Sequence, residues 1–430
     1  MPGSPVPPAA DGPATRSATG PTTGPGLIER TAPAGRRTVW SHWWVRVFAV
    51  YAASRVVTTT FLLVLASVQG PNPWTLAHPG LFDYSSIWDG RWYNIVSISG
   101  YPATLPFTDG HVTENAWAFL PAYPGLVNVL QFVTRMPWPV VAVLVSVGFG
   151  AGAALVFYRL LRRVRLSPSV SLFAVTLFCV SPVSPLFQLA YAESMYIFLL
   201  VLALYLLVER RYALLFPVVL VMAFTRPSGL AFALALVFHV VYRWVRRGSD
   251  PFPMRERVLS VSLAVFSGLA GLAWPAIAGA VTGDLTAYTD TELAWRSSYI
   301  GFTDLVPFAS WFQGANWWFG SMLGVPGWLG IVVLLILIAL FCLAMFSPAV
   351  KRLGVDLRFW VAAYATYLLA VFFPQSSTFR LLMPLFPLLG AIALPRGRVY
   401  RSALVVVFLA LQVGWLLVCW GVDGADWSPP

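Results

Sequence analysis

The residues best equipped for chemistry lie together in one stretch, Trp88-Asp89-Gly90-Arg91-Trp92-Tyr93. A carboxylate there can accept a proton, and the flanking rings offer flat faces on which a sugar can stack. Apolar Ile87, Tyr93, Ile95, Val96 and Ile98 are mixed with polar positions, which predicts a short helix lying at a membrane surface. On such a helix Asp89 sits between lipid and water, where partial desolvation raises its pKa and its strength as a base. The same residues also fit an interfacial aromatic belt carrying a solvated acid.

Four further charged positions stand out. Glu114 precedes the block Phe119-Leu120-Pro121-Ala122-Tyr123-Pro124. Glu193, in Tyr191-Ala192-Glu193-Ser194, opens an apolar run, so it reads either as a charge at a helix N-terminus or as an acid lining a cavity. Arg226 (Thr225-Arg226-Pro227-Ser228-Gly229) and Arg380 fall at the ends of apolar runs. An arginine near membrane depth costs a few kcal/mol and needs an anionic partner. A lipid phosphate suits it through bidentate contacts; pairing with Glu193 or reaching for headgroups would also serve. His42, His78, His111 and His239 show no metal-ligand spacing with Cys or acids, although His78 and His111 share a loop with the acids. No phosphate-binding glycine loop is present.

The elements that must position these residues follow from composition. Of the 430 residues, 58% are hydrophobic and 10% charged, far below the roughly 25% charged of soluble domains. Apolar runs near 44–68, 138–160, 168–187, 193–208, 212–226, 228–245, 258–281, 326–347, 358–374, 379–395 and 402–421 predict an all-α polytopic membrane protein with about eleven spans. The net charge is +11, almost wholly arginine. Most of these arginines fall in alternate short loops, which places the N-terminus in the cytoplasm and argues for orientation by charge over nucleic-acid binding. Acidic residues gather on the other side, in two large loops, 69–137 and 282–325, with Asp423 and Asp426 beyond the last span. The second loop holds Asp284, Asp290, Glu292 and several Trp at no specific spacing and reads as mainly interfacial. Residues 117–133, apolar and broken by proline, read as a half-buried segment. Residues 1–40 lack apolar periodicity and read as a disordered cytoplasmic tail, and 422–430 as an outer tail.

Trp88-Asp89 with Tyr93, then Gly100-Tyr101, then Phe119 to Pro124, is similar to the pattern of the GPI mannosyltransferase 2 (PIG-V) family and its bacterial relatives. Tyr191-Ala192-Glu193-Ser194 and Arg226-Pro227-Ser228-Gly229 resemble two further segments of that family. Trp92 stands where eukaryotic members often carry His, and Leu120 and Ala122 replace a Phe and a Leu. These departures and the Arg-rich composition point to a bacterial, actinobacterial-like branch in the plasma membrane. The resemblance implies a GT-C-like fold over 41–421, with 69–137 as an extracytoplasmic catalytic loop. It implies an inverting hexosyl transfer, by a mannosyltransferase, from a polyprenyl-phosphate sugar to an extracytoplasmic glycolipid, glycan or protein. Asp89 would be the base. Trp88, Arg91, Trp92, Tyr93, Glu114, Tyr123 and Glu193 would hold sugar or acceptor, and Arg226 and Arg380 the donor phosphate. Beyond the lipid-linked co-substrate and membrane lipids, no cofactor and no nucleic acid is expected; no residue is assigned as a metal ligand, and metal dependence stays open. A transporter or lipid-carrier flippase is the rival class. It would place polar residues deep within several spans, whereas here charge clusters at one edge.

Overall fold

The computed structural model describes residue 3 and residues 42–421; the expected tails 1–40 and 422–430, with Asp423 and Asp426, lie outside the described residues. The described chain is helical apart from turns and a two-residue hairpin, β1 (Phe107–Thr108) with β2 (His111–Val112). Its main helices are α1 (Trp43–Ser67), α2 (Asp89–Ser99), α3 (Ala122–Thr134), α4 (Trp138–Arg163), α5 (Pro168–Cys179), α6 (Glu193–Val208) and α7 (Tyr212–Ala223). They continue with α8 (Gly229–Val245), α9 (Met254–Thr282), α10 (Ala287–Ala294), α11 (Ser310–Trp317), α12 (Gly327–Met345), α13 (Val355–Val371) and α14 (Arg398–Trp420).

Five of these, α1, α4, α9, α12 and α14, are long and apolar enough to cross a membrane. On α12 only Gly330, Leu334 and Met345 are buried, while Leu335, Ile336, Leu337, Leu340 and Leu343 are exposed. Apolar surface on that scale calls for lipid, and the protein is read as multi-pass in the membrane. The shorter α6 is apolar on every side and almost wholly buried between α4 and α7, as a central helix must be. With 16 residues it is about 24 Å long. Its N-terminus carries Glu193, and its other end leads to the arginine-rich loops. There Arg163 pairs with Glu209, Arg210 with Asp250, and Arg243 with Asp250 and Glu256. The structure thus separates an acidic and aromatic end from a basic end.

Two expected spans are not continuous helices. Residues 379–395 form only short turns, Thr378–Leu381, Met383–Leu385 and Leu388–Ile392, because Pro384 and Pro387 withhold the amides a helix needs. The run from 168 stops at Cys179, before Pro182 and Pro185. Unpaired carbonyls cannot be left at such depth, and side chains from neighbouring helices take them up. Tyr364 Oη donates to Leu381 O at 2.8 Å and Trp360 Nε1 to Pro384 O at 2.9 Å. Around the other break, Arg55 donates to Ser184 O at 2.6 Å and to Cys179 O at 2.9 Å, and its guanidinium lies over Tyr51 and Phe187. Arg55, a charged residue inside the first span, therefore replaces missing helical donors.

The first large loop is a packed structure. Residues 89–99 form the expected surface helix, with Tyr93 and Val96 buried and Ile95 and Ile98 exposed. Residues 122–134 form an amphipathic helix, α3, tied to α7 by Ala122 N donating to Phe224 O at 3.0 Å. Gly100 closes α2 at φ +69°, a conformation that favours glycine. Tyr101 then donates to Phe119 O at 2.7 Å and stacks on Trp117.

Replacing Arg55 by Met leaves two buried carbonyls unpaired, so we expect a loss of roughly 2–4 kcal/mol. Thermal unfolding in detergent measures this, and a midpoint equal to that of the parent protein would contradict the role given to Arg55.

Candidate active site

Three backbone segments meet at the N-terminus of α6. Ala190 N donates to Ser85 O at 2.9 Å, docking the start of the first loop on the turn before α6. Gly90 lies in this contact: a Cβ there would meet Ala190 at 3.4 Å, an ordinary van der Waals distance. Asp89 is the first residue of α2, and its N–H donates to Tyr191 Oη at 3.3 Å. Trp88, just before it, is held at φ 59° and ψ −124°, a backbone strained by about 1–3 kcal/mol for a non-glycine residue. Its indole pays for this by donating to Cys419 O at 2.8 Å and packing on Trp74 at 4.4 Å. Trp420 Nε1 also donates to Tyr84 O at 3.0 Å, so the end of α14 fastens this loop.

The third segment is the turn before α8. Gly229 and Gly271 pack backbone to backbone: a Cβ on Gly229 would come within 2.6 Å of Gly271 Cα. Ser267 Oγ donates to Gly229 O at 2.8 Å. This contact, and not any flexibility, explains the glycine of Arg226-Pro227-Ser228-Gly229, and it sets Arg226 opposite Glu193.

The outcome is a buried ion cluster. Arg380 Nη1 donates to Asp89 Oδ2. Arg380 Nε and Arg226 Nη2 each lie 3.4 Å from Glu193 Oε1. The Arg226 guanidinium lies beside the Tyr93 hydroxyl, and that of Arg380 lies over Tyr191, 5.6 Å from the ring centroid. Glu193 is 3% exposed, yet neither of its oxygens accepts a hydrogen bond of good geometry. A buried carboxylate with free lone pairs is the exception in folded proteins and marks a place where a ligand hydroxyl can donate. Burial pushes the Asp89 carboxyl above the usual range, and the Arg380 guanidinium pulls it only part of the way back.

The structure divides the expected site residues. Asp89, Tyr93, Glu193, Arg226 and Arg380 come together. Trp88 is a loop anchor and not an open stacking face. Arg91 is exposed and turns away, donating to Trp74 O at 3.4 Å. Tyr123 is buried beneath Tyr93, bonded to Ala142 O at 3.0 Å and Ser146 Oγ at 3.2 Å, so no sugar reaches it. Glu114 is exposed and makes no ion pair with the cluster, although partial burial raises its pKa. Trp92 is half-buried, stacked on Phe119 at 5.4 Å and edge-on to Trp295 at 5.8 Å, leaving it at the border of the site. His78 Nδ1 lies 2.8 Å from Ser67 O, and His111 stacks on Phe302.

Sequence reasoning passed over Glu292. It projects from α10 in the second large loop, lies beside Tyr288, and is within electrostatic reach of Arg226, Asp89 and Arg380. Its side chain keeps water contact while the surrounding protein crowds it and pushes its pKa up. The Tyr288/Glu292 pair at i,i+4 was the only sequence signal; nothing in the spacing tied it to residues 200 positions earlier. The second loop therefore brings a carboxylate into the electrostatic surroundings of the cluster.

No family model matches the chain, and no curated protein matches it. Among solved structures, the oligosaccharyltransferase of Archaeoglobus fulgidus, crystallised with an acceptor peptide containing the NVT sequon tethered by a disulfide bond, aligns over 88% of this chain. The alignment covers 56% of that enzyme, at 11% identity and a TM-score of 0.39. The chain thus spans little more than half of that enzyme's length, and likeness at this level establishes neither a common fold nor a common activity.

Glu193→Gln removes the anion shared by two buried guanidinium groups. Breaking a buried pair in this way costs about 3–5 kcal/mol, so the variant's unfolding midpoint in detergent should fall by many degrees. A shift no larger than that of an exposed control such as Glu114→Gln would show that the cluster does not bear on stability.

Proposed function

We propose that the protein is a membrane glycosyltransferase that moves a hexose, mannose on the motif resemblance, from a polyprenyl-phosphate carrier to an acceptor hydroxyl. The observation that carries this reading is the buried set Asp89–Arg380–Glu193–Arg226, with two guanidinium groups beside a carboxylate whose pKa is raised. Guanidinium groups at membrane depth suit a lipid phosphate, and a desolvated carboxylate suits proton abstraction. Asp89 takes the proton of the acceptor hydroxyl. The hydroxyl oxygen bonds to the anomeric carbon as the bond to phosphate oxygen breaks, and the electron pair leaves with the phosphate. A single displacement of this kind inverts the anomeric centre. Arg226 and Arg380 stabilise the charge that grows on the departing group, and the free lone pairs of Glu193 orient sugar hydroxyls. The acidic end faces the extracytoplasmic side, as the arginine-rich loops at the other end require for a bacterial plasma membrane.

The ion pair adds a consequence. In the free protein Arg380 is engaged by Asp89, which holds the base down. A donor phosphate competes for that guanidinium, and as Arg380 turns to it, Asp89 loses the partner that lowers its pKa. Donor binding thereby strengthens the base at the moment it is needed.

The detergent-solubilised protein, given polyprenyl-phosphomannose and a total lipid extract of its source cells, should yield a hexose-extended lipid and free polyprenyl phosphate by mass spectrometry. A transporter or flippase would yield neither. Asp89→Asn should lower the rate by about 10²–10⁴-fold; near-parental transfer would remove Asp89 as base. Glu292→Gln tests the second crowded carboxyl, and if it alone abolishes transfer while Asp89→Asn does not, the base is Glu292.

The base must be ionised, and its pKa is raised, so activity is lost as pH falls through a limb above the ordinary aspartate value of about 4. In Arg380→Gln the lowering partner is gone, and the limb should move to still higher pH. A limb that stays in place or moves down would sever Asp89 from Arg380 in function.

A further inference from the structure

The basic end holds a second built feature, about one helix length from the ion cluster. A cleft opens between α1, α4, α5 and the start of α14, in two adjoining lobes of about 460 and 590 Å³. Trp43 and Tyr158 form the wall shared by both lobes, stacked at 5.3 Å with ring planes 4° apart. Arg159 lies over Trp43 at 5.5 Å, and Arg401, over Phe173 at 4.6 Å, closes the opposite side. Arg46, Arg162 and Arg163 complete the basic lining, and no acidic residue lines either lobe.

The position of the cleft defines its ligand. Trp43 opens α1, Arg159 to Arg163 close α4, and Arg401 lies in the first turn of α14. All three helices are long enough to span, so their ends mark the boundary of the hydrocarbon. Arginines line the cleft at the ends of α4 and α14, and Leu172, Phe173 and Thr176 line it further along α5. Arg163 is engaged by Glu209, Arg162 donates to Leu166 O, and Arg401 donates to Ser169 Oγ at 3.0 Å. Arg159 is exposed and packs over the Trp43 ring, and among the described residues no hydrogen bond or ion pair engages its guanidinium. A soluble anion would need the arginines but not the apolar floor; an acyl chain would need the floor but not the arginines.

From this we infer that the cleft is a binding site for the phosphate headgroup and upper acyl chain of an anionic phospholipid, on the face opposite the candidate active site. Such a lipid would bridge α1, α4, α5 and α14. Two of these helices hold the site from behind: α4 receives Tyr123, and the end of α14 fastens Trp88.

The test is thermal unfolding of the full chain in a zwitterionic detergent, titrated with phosphatidylglycerol, with phosphatidylcholine, and with inorganic phosphate. Phosphatidylglycerol should raise the midpoint saturably. In Arg159→Gln/Arg401→Gln the concentration needed should rise roughly tenfold or more, whereas in the charge-matched control Arg255→Gln/Arg352→Gln it should not change. Because Arg401 also holds backbone carbonyls, the single variant Arg159→Gln serves if the double variant is unstable, with bound lipid counted by native mass spectrometry. Equal stabilisation of cleft and control variants overturns the inference in favour of a non-specific lipid belt. Stabilisation by inorganic phosphate matching that by phosphatidylglycerol overturns it in favour of a soluble-anion site. Neither outcome bears on sugar transfer, which is read from product alone.

Discussion

Everything at the acidic end depends on keeping Glu193 buried beside two arginines. A carboxylate without a countercharge at 3% exposure would be intolerable, and two guanidinium groups without an anion equally so. The three ionic side chains come from α6, the turn before α8 and the broken segment after α13, and Asp89 joins them from the first loop. No pair can be removed without stranding a charge, so the desolvation cost of the cluster obliges four distant segments to meet. What stability gains is modest, since buried pairs seldom exceed well-packed apolar groups in worth. What geometry gains is a fixed arrangement of two carboxylates and two guanidinium groups.

That arrangement is possible because two runs of chain at membrane depth are not helices. Prolines break them, and the breaks turn Arg380 and the 188–192 turn toward the centre. The freed carbonyls then become the problem, and Arg55, Trp360 and Tyr364 answer it one hydrogen bond at a time. The buried Arg55 and the buried site arginines thus serve different ends. Arg55 meets carbonyl dipoles, the Ser54 hydroxyl and aromatic faces, and among the described residues it pairs with no carboxylate, which suits a structural role. Arg226 and Arg380 meet carboxylates, which under the proposed function a donor phosphate would displace.

The two ends of the molecule also differ in how charge is handled. At the basic end Arg243 is buried, but its partners Asp250 and Glu256 are partly exposed, as is the pair of Arg210 with Asp250. At the acidic end the charges are enclosed, and their mutual influence is correspondingly strong. Chemistry belongs where fields are strong, and the capture of headgroups belongs where arginines remain open to the interface.

The amino-acid order alone determined the membrane character, because apolar runs of spanning length leave few other folds open. It determined the separation of acidic and basic ends, through the placement of arginine in alternate loops. It marked Asp89, Glu193, Arg226 and Arg380, since charged residues beside apolar runs are costly enough to demand a reason. Proline at 384 and 387 could have announced the break in 379–395, but apolarity masked it. Only the tertiary structure decided which marked residues share a site. Trp88, Arg91, Glu114 and Tyr123 have suitable chemistry, yet packing gives them to anchoring, to the surface or to the layer beneath Tyr93. Glu292 had no local signal, because its relation to Asp89 is made by the docking of α10 against the first loop, a contact between segments some 200 residues apart. Composition reports solvent and spacing reports local helix faces; the pairing of charges across a bundle arises only when burial forces each to find a partner.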